Sequence, residues 1–282
     1  METALTIANV ALLVAGMLAC GGVALWLARF GRWRNPLADV PALVGGPTVV
    51  GVALAALACF GLPQLVTAWL GRERLAAAAP GTSLWHQIVL AQQALEVLAI
   101  MLMVVLLTRA RSMVPDGRRL RPLRCAGLCA VAWLAFLPVG ALQLEMGRIV
   151  WRWLYPDMPP PVHDVLRALA QSQWGLWGTV QLVVGAVVIA PFVEELFFRG
   201  LLLGAIHSHL RRAWLAITAS AVAFAVVHAQ PQDVLPLFTM GVLLGYLRLR
   251  CGVLWPCVLF HAVFNMRTVA LVILAPELLQ ET

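Results

Sequence analysis

Glu194 and Glu195 stand side by side, with Arg199 close behind, in a stretch otherwise apolar enough to cross a membrane. A charge at the centre of a bilayer costs at least ~2.5–3.5 kcal/mol on insertion scales, so three of them in one segment mark a candidate site. Further along, His228 follows Phe224 by four residues, and Asn265 follows His261 by four. Residues four apart share one face of a helix. Two donors on one face, as in His261 and Asn265, can hold an oxygen that becomes negative in a tetrahedral intermediate. A carboxylate with a histidine can hold and deprotonate a water molecule. Together these residue types are the parts needed to hydrolyse a peptide bond with activated water.

Helical geometry divides the three charges. Glu195 and Arg199 run acid before base at i and i+4, the favourable order, and can neutralise each other. Glu194 is rotated by about 100° from Glu195. It therefore points elsewhere, without a partner on its own helix. This assigns Glu195 and Arg199 to support and Glu194 to the role of general base. A structural reading competes: a Glu–Arg pair can staple helices together, and a membrane histidine can serve packing alone.

The surrounding composition sets the medium. The chain is 62% apolar and its mean hydropathy is +0.88, against roughly 45–50% apolar in soluble domains. Spanning a bilayer takes about 20 apolar residues. By that rule eight segments emerge, at about 5–28, 42–70, 86–108, 125–147, 176–206, 213–229, 232–248 and 252–275. The expected fold class is all-α, a polytopic bundle of about eight transmembrane helices. Pro63 and Pro191 are available to kink the two longest segments. The N-terminal run lacks a basic n-region and reads as a first membrane helix rather than a cleaved signal.

All 20 basic residues are arginines, which reads as genome-composition bias and fits a bacterial plasma membrane. The net charge of +7 sits in short loops, where membrane orientation accounts for it without a nucleic-acid partner. Arginine-rich loops after the first, third, fifth and seventh segments put those loops in the cytoplasm and both termini outside. The six cysteines form no zinc-type pair and read as small buried hydrophobes.

Four regions follow: membrane helices over 1–147, an interfacial stretch over 148–175, the segments carrying the motifs over 176–275, and a tail over 276–282. In 148–175, Trp151, Trp153, Tyr155 and Trp174 surround a proline-rich turn. A short amphipathic helix at 162–173 lying in the headgroup region is one reading, and a substrate-admitting gate the other.

Less decisive polar residues are Glu96 with Gln92 and Gln93, read as hydrogen-bonding or cavity-lining. Glu145 and Gln143 are expected to snorkel at a helix end. His207 and His209 resemble a metal pair only superficially, and Arg267 is expected to pair with an acid. No His-Glu-x-x-His, Gly-x-Ser-x-Gly, Gly-x-Gly-Asp or Walker-type motif occurs, which removes the commonest rival catalytic classes.

Glu-Glu-x-x-x-Arg at 194–199, Phe-x-x-x-His at 224–228 and His-x-x-x-Asn at 261–265, in that order on membrane segments, resemble the CPBP group of intramembrane proteases. That group includes the type II CAAX prenyl endopeptidases and the abortive-infection-like bacterial proteins. The resemblance spans roughly 175–275. It implies that Glu194 activates water, His228 positions it, and His261 with Asn265 forms the oxyanion hole. Glu195, Arg199 and Phe224 would support them. It further implies a glutamic endopeptidase without metal or other cofactor, acting on membrane-associated peptides, and it permits prenylated ones. Oligomeric state is left open. A non-enzymatic scaffold or bacteriocin-immunity protein, or a proton-coupled transporter, are the alternatives from other classes. One conflict arises from the segment boundaries. Glu194 falls on the cytoplasmic half of its helix and His228 on the outer half of the next, a gap of ~10 Å in depth unless Pro191 or tilt closes it.

Overall fold

The computed structural model describes residues 2–29, 37, 46–62, 65, 68–69, 83–109, 120–170 and 175–275. Among the described residues there is no strand. Helical stretches overlap the expected segments: α1 (Glu2–Arg29), α2 (Val49–Gly61), α3 (Ser83–Arg109), α4 (Pro122–Leu154), α6 (Gly175–Leu210), α7 (Ala213–Val227), α8 (Val234–Cys251) and α9 (Trp255–Leu274); the segment expected at 42–70, with Pro63, is only partly within the described residues. A short helix, α5 (Asp164–Ala170), lies between α4 and α6. In five of the long stretches the helix is long and apolar enough to cross a membrane, while α2, α3 and α7 offer shorter apolar runs. The protein is an all-α integral membrane bundle. Arg32, Arg34, Arg72, Arg74, Arg111, Arg118, Arg119, Trp174 and the tail from 276 fall outside the described residues, as do the side chains of Gln92, Gln93 and Glu96.

Local chemistry explains the turns. Gly252 ends α8 in the left-handed region at φ 74°, and Pro256 sits in the first turn of α9. Glycine accepts that conformation without a Cβ clash, and proline's missing N–H costs nothing at a helix start. The result is a tight α8–α9 hairpin.

Helix α6 is not regular. It widens into π-helical turns at Gly185–Ile189 and again at Leu196–Leu202, on either side of Ala190–Glu195. Pro191 cannot donate to the carbonyl four residues back, and the wide turn before it absorbs that defect. The expected kink at Pro191 thus takes the form of a π-bulge.

The core beneath the site contains Phe198, Phe224, Met240, Leu244 and Phe260, all fully buried. Helices α7 and α8 cross closely there. A Cβ on Gly241 would come within 2.9 Å of Ala221, and one on Gly245 within 3.1 Å of Ile217. Gly241 and Gly245 form a small-xxx-small stripe, which lets helix backbones approach where no hydrophobic drive exists between them.

The stretch after α4 is fastened to the bundle. Trp151 Nε1 donates to Met158 O at 3.0 Å, and Gln232 Nε2 donates to Pro161 O at 2.6 Å. Leu169 of α5 packs with Val269 and Val272 of α9. Of the helix expected at 162–173, the described residues form Asp164–Ala170, packed against a membrane helix, while 171–174 lie outside the described residues.

Candidate active site

Glu194 and Glu195 occupy the last turn of the regular piece of α6, between its two π-bulges. Their neighbours in space come from α7 and α9. Glu195 is fully buried, and its Oε1 accepts from Arg199 Nη1 at 2.8 Å and from His261 Nδ1 at 3.0 Å. Arg199, also buried, reaches Gly241 O with Nη2 at 3.4 Å. Its guanidinium lies 4.4 Å from the Phe224 ring centroid, a desolvated cation–π contact. So the expected self-neutralising pair is made, and it also grips α8 and α9.

Glu194 faces another way. Its Oε2 lies 3.7 Å from His228 Nε2 and 4.0 Å from His261 Nε2, and this buried oxygen has no hydrogen-bond partner within the protein. His228 caps α7, where its Nδ1 is 2.7 Å from Phe224 O. A carbonyl can only accept, so Nδ1 carries a proton, and when the ring is neutral Nε2 presents a lone pair toward Glu194. The same logic applied to His261 puts a proton on the Nδ1 that faces Glu195.

Phe224 organises this group. Its ring lies 4.6 Å from that of His228, tilted by 56°, and meets His261 edge-on at 5.7 Å and Phe198 at 5.2 Å. Immediately after His228, Ala229 holds φ 51°, a left-handed conformation unusual for a residue with a Cβ. That turn, followed by Pro231, brings His228 back over the cavity.

The depth conflict disappears. Helix α7 ends at Val227, and α6 runs on to Leu210, so Glu194 is near the middle of a 36-residue span. His228 meets it from a helix end rather than from the far membrane face.

Asn265 lines the same cavity, and its Nδ2 donates to Ala186 O at 2.8 Å, in the first π-bulge. One amide hydrogen stays available. The cavity holds about 780 Å³ and is lined by Glu194, His228, His261 and Asn265 together with apolar residues of α4, α5, α6 and α9. Pro160, Pro161, Val162, Val165 and Leu166 supply one wall, so the stretch expected at the interface borders the site.

Several expectations need correction. Arg267 bonds not to an acid but to an amide, with Nη2 donating to Asn9 Oδ1 of α1 at 3.1 Å. Gln143 does not snorkel. It is part-buried and donates to Thr239 Oγ1 of α8 at 2.9 Å. Glu145 pairs with Arg148 at 2.8 Å beside the cavity. His207 is buried, while His209 turns back to Ala205 O at 2.8 Å. Asp233 and Gln232, which the sequence reading passed over, line the cavity next to His228. Their only signal was a position just after Pro231, at the start of α8. Among the described residues no group of three or more His, Cys, Asp or Glu side chains is arranged to hold a metal ion.

A helical membrane bundle with carboxylates and histidines converging in an apolar cavity has the form of an intramembrane hydrolase. Residues 176–267 match the family model described as type II CAAX prenyl endopeptidase Rce1-like, and this segment is similar to that family. At family level that match supports a CAAX-type intramembrane protease, in keeping with the apolar helices long enough to span a bilayer. Glu194, Glu195, Arg199, Phe224, His228, His261 and Asn265 all lie inside the matched segment. No curated protein and no solved structure gives a match to the chain.

Proposed function

We propose that the protein is an endopeptidase in which Glu194 activates the water that attacks the peptide bond. The observation that carries this reading is the unpartnered Oε2 of Glu194, 3.7 Å from the lone pair of His228 Nε2 inside the cavity. A water that donates one hydrogen to each of these acceptors is held with its own lone pair free for attack. As the C–O bond forms, Glu194 takes the proton and His228 keeps the oxygen aligned. Glu194 then hands that proton to the departing amine as the C–N bond breaks.

The oxyanion needs donors. The second amide hydrogen of Asn265 is one. His261 Nε2 becomes another when the ring is an imidazolium, whose charge the Glu195 carboxylate at 3.0 Å would balance. Phe224, Glu195 and Arg199 hold these groups in place. Every step uses side chains of this chain, so the reading is a metal-independent glutamic mechanism. The substrate class it supports is a peptide anchored at the membrane, by a prenyl group or another apolar attachment, because most of the cavity wall is hydrocarbon. The arginine-only composition supports a bacterial plasma membrane as its location.

The test is Glu194→Gln in membranes with measured peptidase activity. Abolished turnover at unchanged protein level is expected. Unchanged turnover would overturn the assignment of Glu194 as the base.

A further inference from the structure

Two arginines of the site are paired with acids, Arg199 with Glu195 and Arg148 with Glu145, and a third is not. Arg267 stands on α9, thirteenth of its 20 residues, and lines the same cavity as Glu194. Its guanidinium has five N–H donors. The structure gives it one neutral acceptor, Asn9 Oδ1 at 3.1 Å, and its buried Nε has no partner. No acid is paired with it among the described residues. A cation inside a membrane bundle with only an amide for company is unfavourable unless an anion arrives.

Resting on the active-site reading above, we propose that Arg267, oriented by Asn9, is a specificity-determining residue that binds a carboxylate of the peptide substrate, its free C-terminus. Arg267 follows His261 by six residues, which is about 9 Å along the helix axis. An extended peptide covers that distance with a few residues. The planar guanidinium suits a carboxylate, with which it can form two parallel bonds. The end of α9 is seven residues beyond Arg267, about 10 Å away. A phospholipid phosphate at the membrane surface would have to be drawn inward by that depth, which favours the peptide as the source of the anion. Asn9 is the positioning residue, since its carbonyl oxygen holds one edge of the guanidinium, through Nη2, on a side chain that lines the cavity.

The experiment uses the full chain in lipid nanodiscs and a dansyl-labelled hexapeptide with an S-hexadecyl cysteine, prepared with a C-terminal carboxylate and with a C-terminal amide. Binding is measured by fluorescence anisotropy on Glu194→Gln protein, and cleavage on the wild type. The carboxylate form is expected to bind about ten- to a hundredfold more tightly than the amide. Arg267→Gln should abolish that preference while leaving affinity for the amide unchanged, and Arg267→Lys should keep part of it. Asn9→Ala should weaken the preference without removing it. The proposal is overturned if the two peptides bind equally to protein carrying Arg267, or if Arg267→Gln weakens both equally. It is also overturned if that variant loses only co-purifying anionic lipid and keeps the preference. Because the preference is read from binding, a failure of Glu194 as the base shows in cleavage alone and leaves this result independent.

Discussion

Glu194 Oε2 lies 3.7 Å from His228 Nε2, and the backbone carbonyl of Phe224 determines which proton that imidazole carries. By accepting from Nδ1, Phe224 O leaves Nε2 as an acceptor facing the carboxylate. On the proposed mechanism these two acceptors share a single water.

Replacement of either partner should therefore remove catalysis and spare the fold. We expect Glu194→Gln and His228→Ala each to lower turnover by about 10²–10⁴-fold, the range for general-base catalysis. Both side chains are about one-fifth exposed to the cavity, so thermal midpoints in detergent should stay close to wild type. A midpoint drop as large as the activity loss would mark them as structural.

The opposite pattern is expected for the pair beneath them. Arg199→Ala leaves Glu195 charged, fully buried and facing His261 alone, a situation that costs about 3–5 kcal/mol. The double change Glu195→Leu with Arg199→Met should recover most of that loss, because no unpaired charge remains. Thermal unfolding of Glu195→Leu, of Arg199→Met and of the double decides it. Simple additivity would refute the coupling.

Helix approach at Gly241 gives a third test. A methyl group there would come within 2.9 Å of Ala221, so Gly241→Ala should destabilise by about 1–3 kcal/mol through overpacking. Adding Ala221→Gly should relieve part of the loss. The readout is again the midpoint, with the double variant predicted to lie between wild type and Gly241→Ala.

Ala229 stores strain next to His228. Its φ of 51° suits glycine, so Ala229→Gly should gain about 0.5–1 kcal/mol, the left-handed penalty less glycine's extra chain entropy. A lower midpoint would show that Ala229 is not strained.

Metal removal separates two chemistries. If water is activated by Glu194 alone, prolonged exposure to a chelator should leave cleavage unchanged. Loss of activity that zinc restores would point instead to Glu194, His228 and His261 as ligands.

The sequence by itself determined the membrane bundle, because each helix must satisfy its own backbone polar groups in lipid and so advertises itself as an apolar run. It also determined the division of the charged motif, since the four-residue spacing of Glu195 and Arg199 is local helix geometry. Phe224 with His228, and His261 with Asn265, were legible as pairs on one face for the same reason. What only the tertiary structure decided lies between helices. Residue counting at a uniform rise put Glu194 and His228 about 10 Å apart in depth, whereas the packed helices place Glu194 Oε2 3.7 Å from His228 Nε2. Local spacing carries no record of which helix approaches which. Hence the joining of Glu195 to His261, of Gln143 to Thr239 and of Arg267 to Asn9, across 66, 96 and 258 residues, emerged only from the packed chain.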